Sequence, residues 1–527
     1  MRSLVKRHTR TENSIYNFTT SIGGQLLTIL LHFIVRTVFI KTIGKSYLGI
    51  SGLFTNILSM LSLTEFGVGS AILFKLYEPV ATENYHRITL LMKFYKHVYR
   101  VIGIAIATLG LCFIPFLPSL IKDYDRLIQL DLNVAFIFIL YLAKTVSSYL
   151  FFAYKSAIIK ANQKEYLINL VSYFFTLGGA IAQVVLLLIY PVFEIYVAIS
   201  VAQILMQNVA IAVLSNKMYP YINEKTIERI DRTEIKEVAK DCAALFIYKI
   251  NGVVLKATDN IVLSTYIGLD MVAMYSNYYI FYTTINSLFS KIFGSVSHSL
   301  GNLHVSNNVE HEYKIFETVN LITAILGGTA FVGIFVVADE FVNSWIGHEW
   351  IISQPFSFLM GFELYTLASR VALSKYRTTM GLFQQAKWRP LFGIIINLIV
   401  SIVLVNIWGI CGVLVGTLAA DWLTFMWFDP LIIHKYGFKN SKPVTQYYKR
   451  FAIYTSIVLM VGLFDYHICN MVLVGYGWCS IILHIAICSI TVPSALILVK
   501  LHSHEGKYII RILKKTYKKF VKHLGKR

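Results

Sequence analysis

The chain reads as an all-α integral membrane protein of about fourteen transmembrane helices, arranged as two pseudo-symmetric six-helix lobes with two extra C-terminal helices. Three observations predict this. Hydrophobic residues make up 56% of 527 while charged residues make up only 14%, where a soluble chain carries about 25% charge. Many runs reach the length of a bilayer span, about 20 residues, with almost no charge. Lysine and arginine are also distributed by sidedness: 39 fall in alternate connecting segments and at the two ends, and 4 (Lys41, Lys45, Lys122 and Arg126) fall in the intervening ones. That bias puts both termini on the cytoplasmic side, and it accounts for the net charge of +20 without nucleic acid.

The spans are placed at 14–40, 47–74, 98–120, 132–154, 167–190, 193–214, 241–266, 271–297, 315–338, 351–374, 390–407, 410–434, 451–465 and 479–499. The first 13 residues are polar and basic, and the apolar run behind them is too long for a signal core, so it reads as a retained span. The expected organisation is an N-lobe over 1–214, a cytoplasmic linker over 215–240, a C-lobe over 241–435, two further spans within 436–500 and a basic cytoplasmic tail over 501–527. Within the linker, Ile227, Ile230, Ile235 and Val238 fall near one helical face, which suits an interfacial amphipathic helix; a solvated linker is the plain alternative. The tail carries nine basic residues and suits anionic headgroups. Ile43-Gly44 and Ile267-Gly268, 224 residues apart, end the first turn of each lobe. A Gly-Ser patch follows each, Gly67 to Ser70 and Gly294 to Ser297, so the lobes read as parallel repeats.

Charges inside spans are the candidate functional residues, because lipid offers them no partner. They are Arg36, Glu65, Lys144, Lys249, Lys256, Asp259, Glu363, Arg370 and Asp421. Gln25, His32 and Arg36 form one stripe at i, i+7 and i+11. Lys249 and Lys256 lie two turns apart, with Asp259 and Asn260 one turn beyond. Glu363, Thr366 and Arg370 share a face. A Lys256–Asp259 ion pair, a Glu363–Arg370 contact, a hydrogen-bonding His32 and an Arg36 reaching to the interface are the structural alternatives. Asp429 reads as an edge charge at the end of its span. Together the nine suggest a polar cavity between two lobes.

Soluble-enzyme motifs are lacking. Gly67-x-Gly69 has no preceding strand or phosphate-loop lysine, and His304 and His311 are too far apart for a zinc helix motif. The outside connections are too short for a catalytic domain, and no paired-carboxylate or nucleophile arrangement appears. Six scattered cysteines, none in a CxxC, read as free thiols. The chain therefore reads as a non-enzyme with no cofactor and no metal.

Residues 37–72, TVFIKTIGKSYLGISGLFTNILSMLSLTEFGVGSAI, resemble the first hairpin of the Gram-positive Wzx-type polysaccharide flippases, in the superfamily that also holds MATE exporters and the lipid II flippase. The segments TDNIVLSTYIGLDMVAMYSNYY (258–279), SVSHSLGNL (295–303) and RTTMGLFQQAKWRPLFGIIINLIVSIVLVNIWGICGVLVGTLAADW (377–422) extend the likeness through most of the chain. The resemblance implies transfer of an undecaprenyl-pyrophosphate-linked repeat unit between leaflets of a bacterial cytoplasmic membrane, for capsule, exopolysaccharide or O-antigen-like polymer export. The diphosphate calls for cations, and Arg36, Lys144, Lys249, Lys256 and Arg370 are the substrate-binding candidates. Glu65, Asp259, Glu363 and Asp421 are the candidates for coupling to H⁺ or Na⁺ by alternating access. The expected partners are the lipid-linked oligosaccharide, membrane lipids and polysaccharide-assembly proteins such as the polymerase, with a monomer as the working unit. Two other readings stay open: a MATE-like cation-coupled drug antiporter, and a membrane repeat-unit polymerase.

Overall fold

A computed structural model describes residues 10–62, 68–122, 124–129, 132–224, 230–231, 233, 235–236, 253–254, 257–305, 309–382, 384–386, 388–471 and 477–511. The described residues contain helices and turns and no strand. The chain divides into two compact units, Met1–Ala273 and Met274–Arg527.

In the first unit, α1 (Arg10–Thr42) ends at Gly44, whose φ of 105° breaks the helix, and α2 (Lys45–Leu61) starts at once. Then come α3 (Val68–Ala81), α4 (Tyr85–Phe113), α5 (Val134–Leu150), α6 (Glu165–Ile189) and α7 (Phe193–Met218). Asn84 and Asn133 cap α4 and α5 by accepting from Arg87 N (3.0 Å) and Phe136 N (2.9 Å), satisfying backbone donors that a helix start leaves open. Asn17 on α1 does the same for α6: it accepts from Tyr166 N at 2.7 Å and donates to the Gln163 carbonyl at 2.9 Å. After α5 the path bends by 41° into the short helices over Ala153–Ala161.

The repeated Ile-Gly turn is visible in the geometry. Gly268 has φ 129°, and the next helix, α8 (Leu269–Val305), follows it directly. Ser46 and Asp270 hold equivalent places in the two turns, and Ser46 Oγ donates to Asp270 Oδ1 at 3.0 Å. The strap around residue 120 ties to the chain just before the second turn: Ser264 Oγ donates to the Leu120 carbonyl (2.7 Å) and Lys122 Nζ to the Tyr266 carbonyl (2.9 Å).

In the second unit, α9 (Val309–Ile346), α10 (Gln354–Thr379), α11 (Arg389–Trp408), α12 (Ile410–Gly437), α13 (Val444–Met471) and α14 (Trp478–Val499) follow α8. The apolar windows of α9 and α12 are 61% and 67% buried, against 22–28% for α11, α13 and α14, so α9 and α12 form the centre. Small residues let helices meet closely. A Cβ built on Gly361 would lie 2.7 Å from the Phe331 carbonyl oxygen, and one on Gly328 would lie 2.7 Å from a Val458 methyl. On α12, Gly412 and Gly416 stand one turn apart, each against α11, a small-xxx-small contact of the kind membrane helices use. Around α9 the core joins Phe331, Val332, Phe335, Tyr365, Val458 and Val492, so α13 and α14 pack onto the unit.

Nine described helices are long and apolar enough to cross a bilayer, ten when the bent pair after α5 counts as one. Two expected spans, α8 and α10, fall outside that group because they are polar along their length. α10 buries Ser357, Glu363, Thr366, Ser369 and Arg377, and burying these against protein removes the need for an apolar surface there. The second expected span covers α2 and the start of α3, with residues 63–67 outside the described set, and most of the seventh, 241–266, also lies outside it. The thirteenth is longer than 451–465, running from Val444 to Met471.

Candidate functional site

Two groups of charges stand out, one in each unit. In the second unit α10 carries Glu363, Arg370 and Arg377, and α12 carries Asp421 and Asp429. Arg370 Nη1 donates to both carboxylate oxygens of Asp421, at 2.6 and 2.9 Å. The Asp421 side chain is 1% exposed and that of Arg370 20%. Asp429, fully buried, lies 3.7 Å from Arg377 Nε and forms an ion pair with Arg389 at the start of α11. The Phe425 ring joins the two pairs, with the Arg389 guanidinium 3.8 Å from its centroid and that of Arg370 5.4 Å away, so the aromatic face supports both cations.

The register of this ladder depends on a π-helical turn. Arg370 and Arg377 are seven residues apart, which on an α-helix is two turns and about 10.5 Å. Asp421 and Asp429 are eight apart, which on a regular α-helix would turn the second carboxylate well away from the first. The π turn Asp421–Phe425 takes up the extra residue, so both acids face α10. Such single-turn bulges recur at functional positions. Thr366 accepts from Trp422 Nε1 at 3.2 Å, tying the same turn to α10. Glu363 is buried and acts on Arg370 electrostatically, as does Tyr282 of α8.

In the first unit Lys144 on α5 and Arg36, one turn along α1, both act electrostatically on His32. Among the described residues both of these charges are positive, and Tyr196 of α7 acts electrostatically on Arg36. His32 is exposed, and Arg36 and Lys144 are half-buried. A partly open surface bearing a guanidinium, an ammonium and an imidazole can receive an anion. The Arg370 ladder, with its acids already in contact, serves better as a coupled ion network.

The structure thus sets Arg36 and Lys144 both acting on His32, and brings Arg370 together with Asp421, with Glu363 acting on it. Asp259 is buried on the helix over 257–266, beside buried Asn260. Glu65, Lys249 and Lys256 lie outside the described residues, and with them the Lys256–Asp259 pair. Sequence reasoning missed three members of the ladder. Asp429, read as an edge charge, is fully buried, and Arg377 and Arg389, read as cytoplasmic loop cations, are its partners. The signal available was spacing: Arg377 lies seven residues after Arg370, and Asp429 eight after Asp421. The positive-inside bias survives removal of the two arginines. Buried polar groups of α13 and α14 were also missed. Glu340 of α9 accepts from Ser480 and contacts His484 Nδ1 at 2.9 Å, and Asp465 accepts from Thr491 Oγ1 at 2.5 Å. Among the described residues no cluster of His, Cys, Asp and Glu could hold a metal ion.

No family model matches the sequence, and no curated protein does. Solved structures do. The lipid II flippase MurJ, in an inward closed conformation, superposes with TM-score 0.67 over 92% of this chain and 99% of its own, at 14% identity. The chain has the fold of the MurJ and MATE transporters. An inward-facing multidrug-resistance MATE transporter covers 79% of this chain and 96% of its own, with TM-score 0.56 and 13% identity. The Vibrio cholerae MATE transporter VcmN, crystallised as a point mutant, gives TM-score 0.51 and 10% identity over 82% of this chain and 99% of its own. By name these neighbours are a lipid flippase and transporters.

Proposed function

We propose that the chain is a membrane flippase that moves a polyprenyl-diphosphate-linked oligosaccharide from the cytoplasmic to the outer leaflet of a bacterial cytoplasmic membrane, by ion-coupled alternating access. The observation that carries this reading is the cationic surface of Arg36, Lys144 and His32 in the first unit. A diphosphate brings roughly two negative charges into a low-dielectric setting, where a cation is worth several times what it is in water. Guanidinium and ammonium donors are the groups that bind phosphate oxygens.

The fold likeness supports the lipid-linked reading in a second way. The lipid II flippase structure covers 92% of this chain, whereas the MATE structures cover 79–83%. The two extra helices, α13 and α14, pack on α9 through the Glu340–His484 contact and through Val458 and Val492 against Gly328, and are integral to the unit. The sugar chain's identity is not part of the proposal; capsule, exopolysaccharide or O-antigen-like polymers all present the same diphosphate. In the coupling role we place Asp421 and Glu363, with Glu65 and Asp259 as further candidates, because a buried carboxylate beside an arginine can exchange its partner for H⁺ or Na⁺. Lys249 and Lys256 are proposed to extend the anion path, and the working unit is proposed to be a monomer. The test is depletion of the protein followed by analysis of carrier lipids. Lipid-linked repeat units should accumulate on the inner leaflet, and complementation with Arg36→Gln/Lys144→Gln should fail to clear them. Normal carrier-lipid turnover without the protein would reject the proposal.

A further inference from the structure

Helices α13 and α14 share a buried polar stripe. On α14, Ser480, His484, Cys488 and Thr491 stand four, four and three residues apart, on one face and over about 16 Å of helix. On α13, Asp465 and Cys469 are four apart. Glu340 of α9 opens the stripe: it accepts from Ser480 Oγ, and His484 Nδ1 lies 2.9 Å from its other oxygen. The Glu340 side chain is 26% exposed and that of His484 5%. The buried thiols of Cys469 and Cys488 come next, hydrogen-bonded to each other. Asp465 ends the stripe. It is fully buried; its Oδ2 accepts from Thr491 Oγ1 at 2.5 Å, and its Oδ1 has no hydrogen-bond partner. Thr491 lies 13 residues from Trp478 and nine from Lys500, about 20 and 13 Å along α14, so this carboxyl sits deep in the span.

Among the described residues no lysine or arginine pairs with Asp465. The titratable groups facing it are the Cys469 and Cys488 thiols, with Glu340 acting on Cys469 from α9 and His484 one turn from Cys488 on α14. An ionised carboxylate at that depth would stand uncompensated, and a proton is the cation that needs no space of its own. A hard metal cation would need further oxygen ligands, whereas the neighbours of this carboxyl are a hydroxyl and two thiols.

We propose that Asp465 Oδ1 is a proton-binding site, loaded through Glu340 and His484 from the end of α14 that the lysine and arginine distribution puts outside. The step is a single protonation. The carboxylate takes a proton from the outer solution, passed along by carboxylate, imidazole and thiol groups that can each accept and donate one, and no other bond changes. A role for this proton as coupling ion rests on the transport reading; its binding does not.

The test is infrared spectroscopy of the full-length protein in vesicles at neutral pH, where exposed carboxyls are ionised. The wild type should show the carbonyl stretch of a protonated carboxyl that Asp465→Asn removes and Asp465→Glu keeps at a shifted frequency. Glu340→Gln and His484→Gln should slow its exchange in deuterated water several-fold. A band left whole in Asp465→Asn, or one that sodium removes at constant pH, would overturn the proton site; wild-type exchange in both entry variants would overturn the route. For the coupling role, a pH gradient should speed movement of a fluorescent polyprenyl-diphosphate oligosaccharide by the wild type and not by Asp465→Asn. An equal response in the two would overturn that role. A wild type that moves no lipid would overturn it together with the transport reading, while the infrared band would still decide the site.

Discussion

Asp421→Asn removes one side of a buried, doubly hydrogen-bonded pair and leaves the Arg370 cation facing a neutral amide. With Asp421 1% exposed and both oxygens within 2.9 Å of Arg370 Nη1, the loss falls in the range for breaking a buried ion pair, about 3–5 kcal/mol. For a unit of this size each kcal/mol shifts the midpoint by about 2–4 °C, so the apparent midpoint should drop by roughly 6–20 °C. Arg370→Gln should cost a similar amount by stranding the carboxylate. The double variant Arg370→Gln/Asp421→Asn removes both ions of the pair, leaving Glu363 as the buried charge beside it, and should recover part of the loss, because a neutral pair of similar volume is often as stable as the ions it replaces. Thermal unfolding of the detergent-solubilised protein, followed by fluorescence-detected gel filtration, reads all four proteins. The coupling should exceed about 1.5 kcal/mol. Single losses below about 1 kcal/mol that simply add in the double variant would refute the ladder as a buried, mutually dependent network.

Other expectations follow from the same geometry. Gly361→Ala places a methyl against the Phe331 backbone and should cost about 1–3 kcal/mol, read as a lower unfolding midpoint; no change would mean that α9 and α10 can part freely. Burial pushes the Glu505 carboxyl up, but Ser503, its own backbone, Lys500 and Arg450 outweigh burial and hold it below its ordinary value of 4.5. The clamp that Glu505 forms on Arg450 (3.5 Å) and Lys500 (3.9 Å) should therefore contribute in full above that value and be lost as the pH falls through the lower folded-state value. A spin label on Lys507→Cys should stay immobilised from pH 7 to 5 and loosen only below about 4; loosening between 7 and 5 would assign the clamp to another group. Single cysteines at Ser503 and Ser344, in a cysteine-free background, should differ toward an impermeant thiol reagent added to whole cells. Labelling of Ser344→Cys and not of Ser503→Cys is expected, and the reverse would sink the proposed orientation.

Helix positions were legible because apolar length and the lysine and arginine distribution act locally and add up over a segment. α9, α11 and α14 follow from runs that no soluble core needs. α8 and α10 were legible only through the alternation of charge between segments, since burial within the unit lets them be polar. The ladder was half legible. Arg370 and Asp421 stood out as charges in apolar sequence, but their partnership joins residues 51 apart, and the π turn that brings Asp429 round is set by packing. Arg377 and Arg389 sit at helix ends, where a cation is ordinarily solvated, and only the folded unit shows them buried against Asp429. Asp465 and His484 went unread for a related reason. They lie in the two helices appended to the lobes, where a polar residue has no repeat counterpart to draw attention to it.

The central claim, that the cationic surface of α1 and α5 receives the diphosphate of a lipid-linked oligosaccharide, is tested most directly by transport in vesicles. Purified protein would be reconstituted with a fluorescent polyprenyl-diphosphate oligosaccharide, and its movement between leaflets read by protection from an impermeant quencher. Wild-type vesicles should equilibrate the lipid, Arg36→Gln and Lys144→Gln should each slow the exchange at least about tenfold while remaining folded, and the polyprenyl monophosphate without sugar should move more slowly than the diphosphate. Exchange at wild-type rate in the Arg36→Gln/Lys144→Gln double variant would contradict the account.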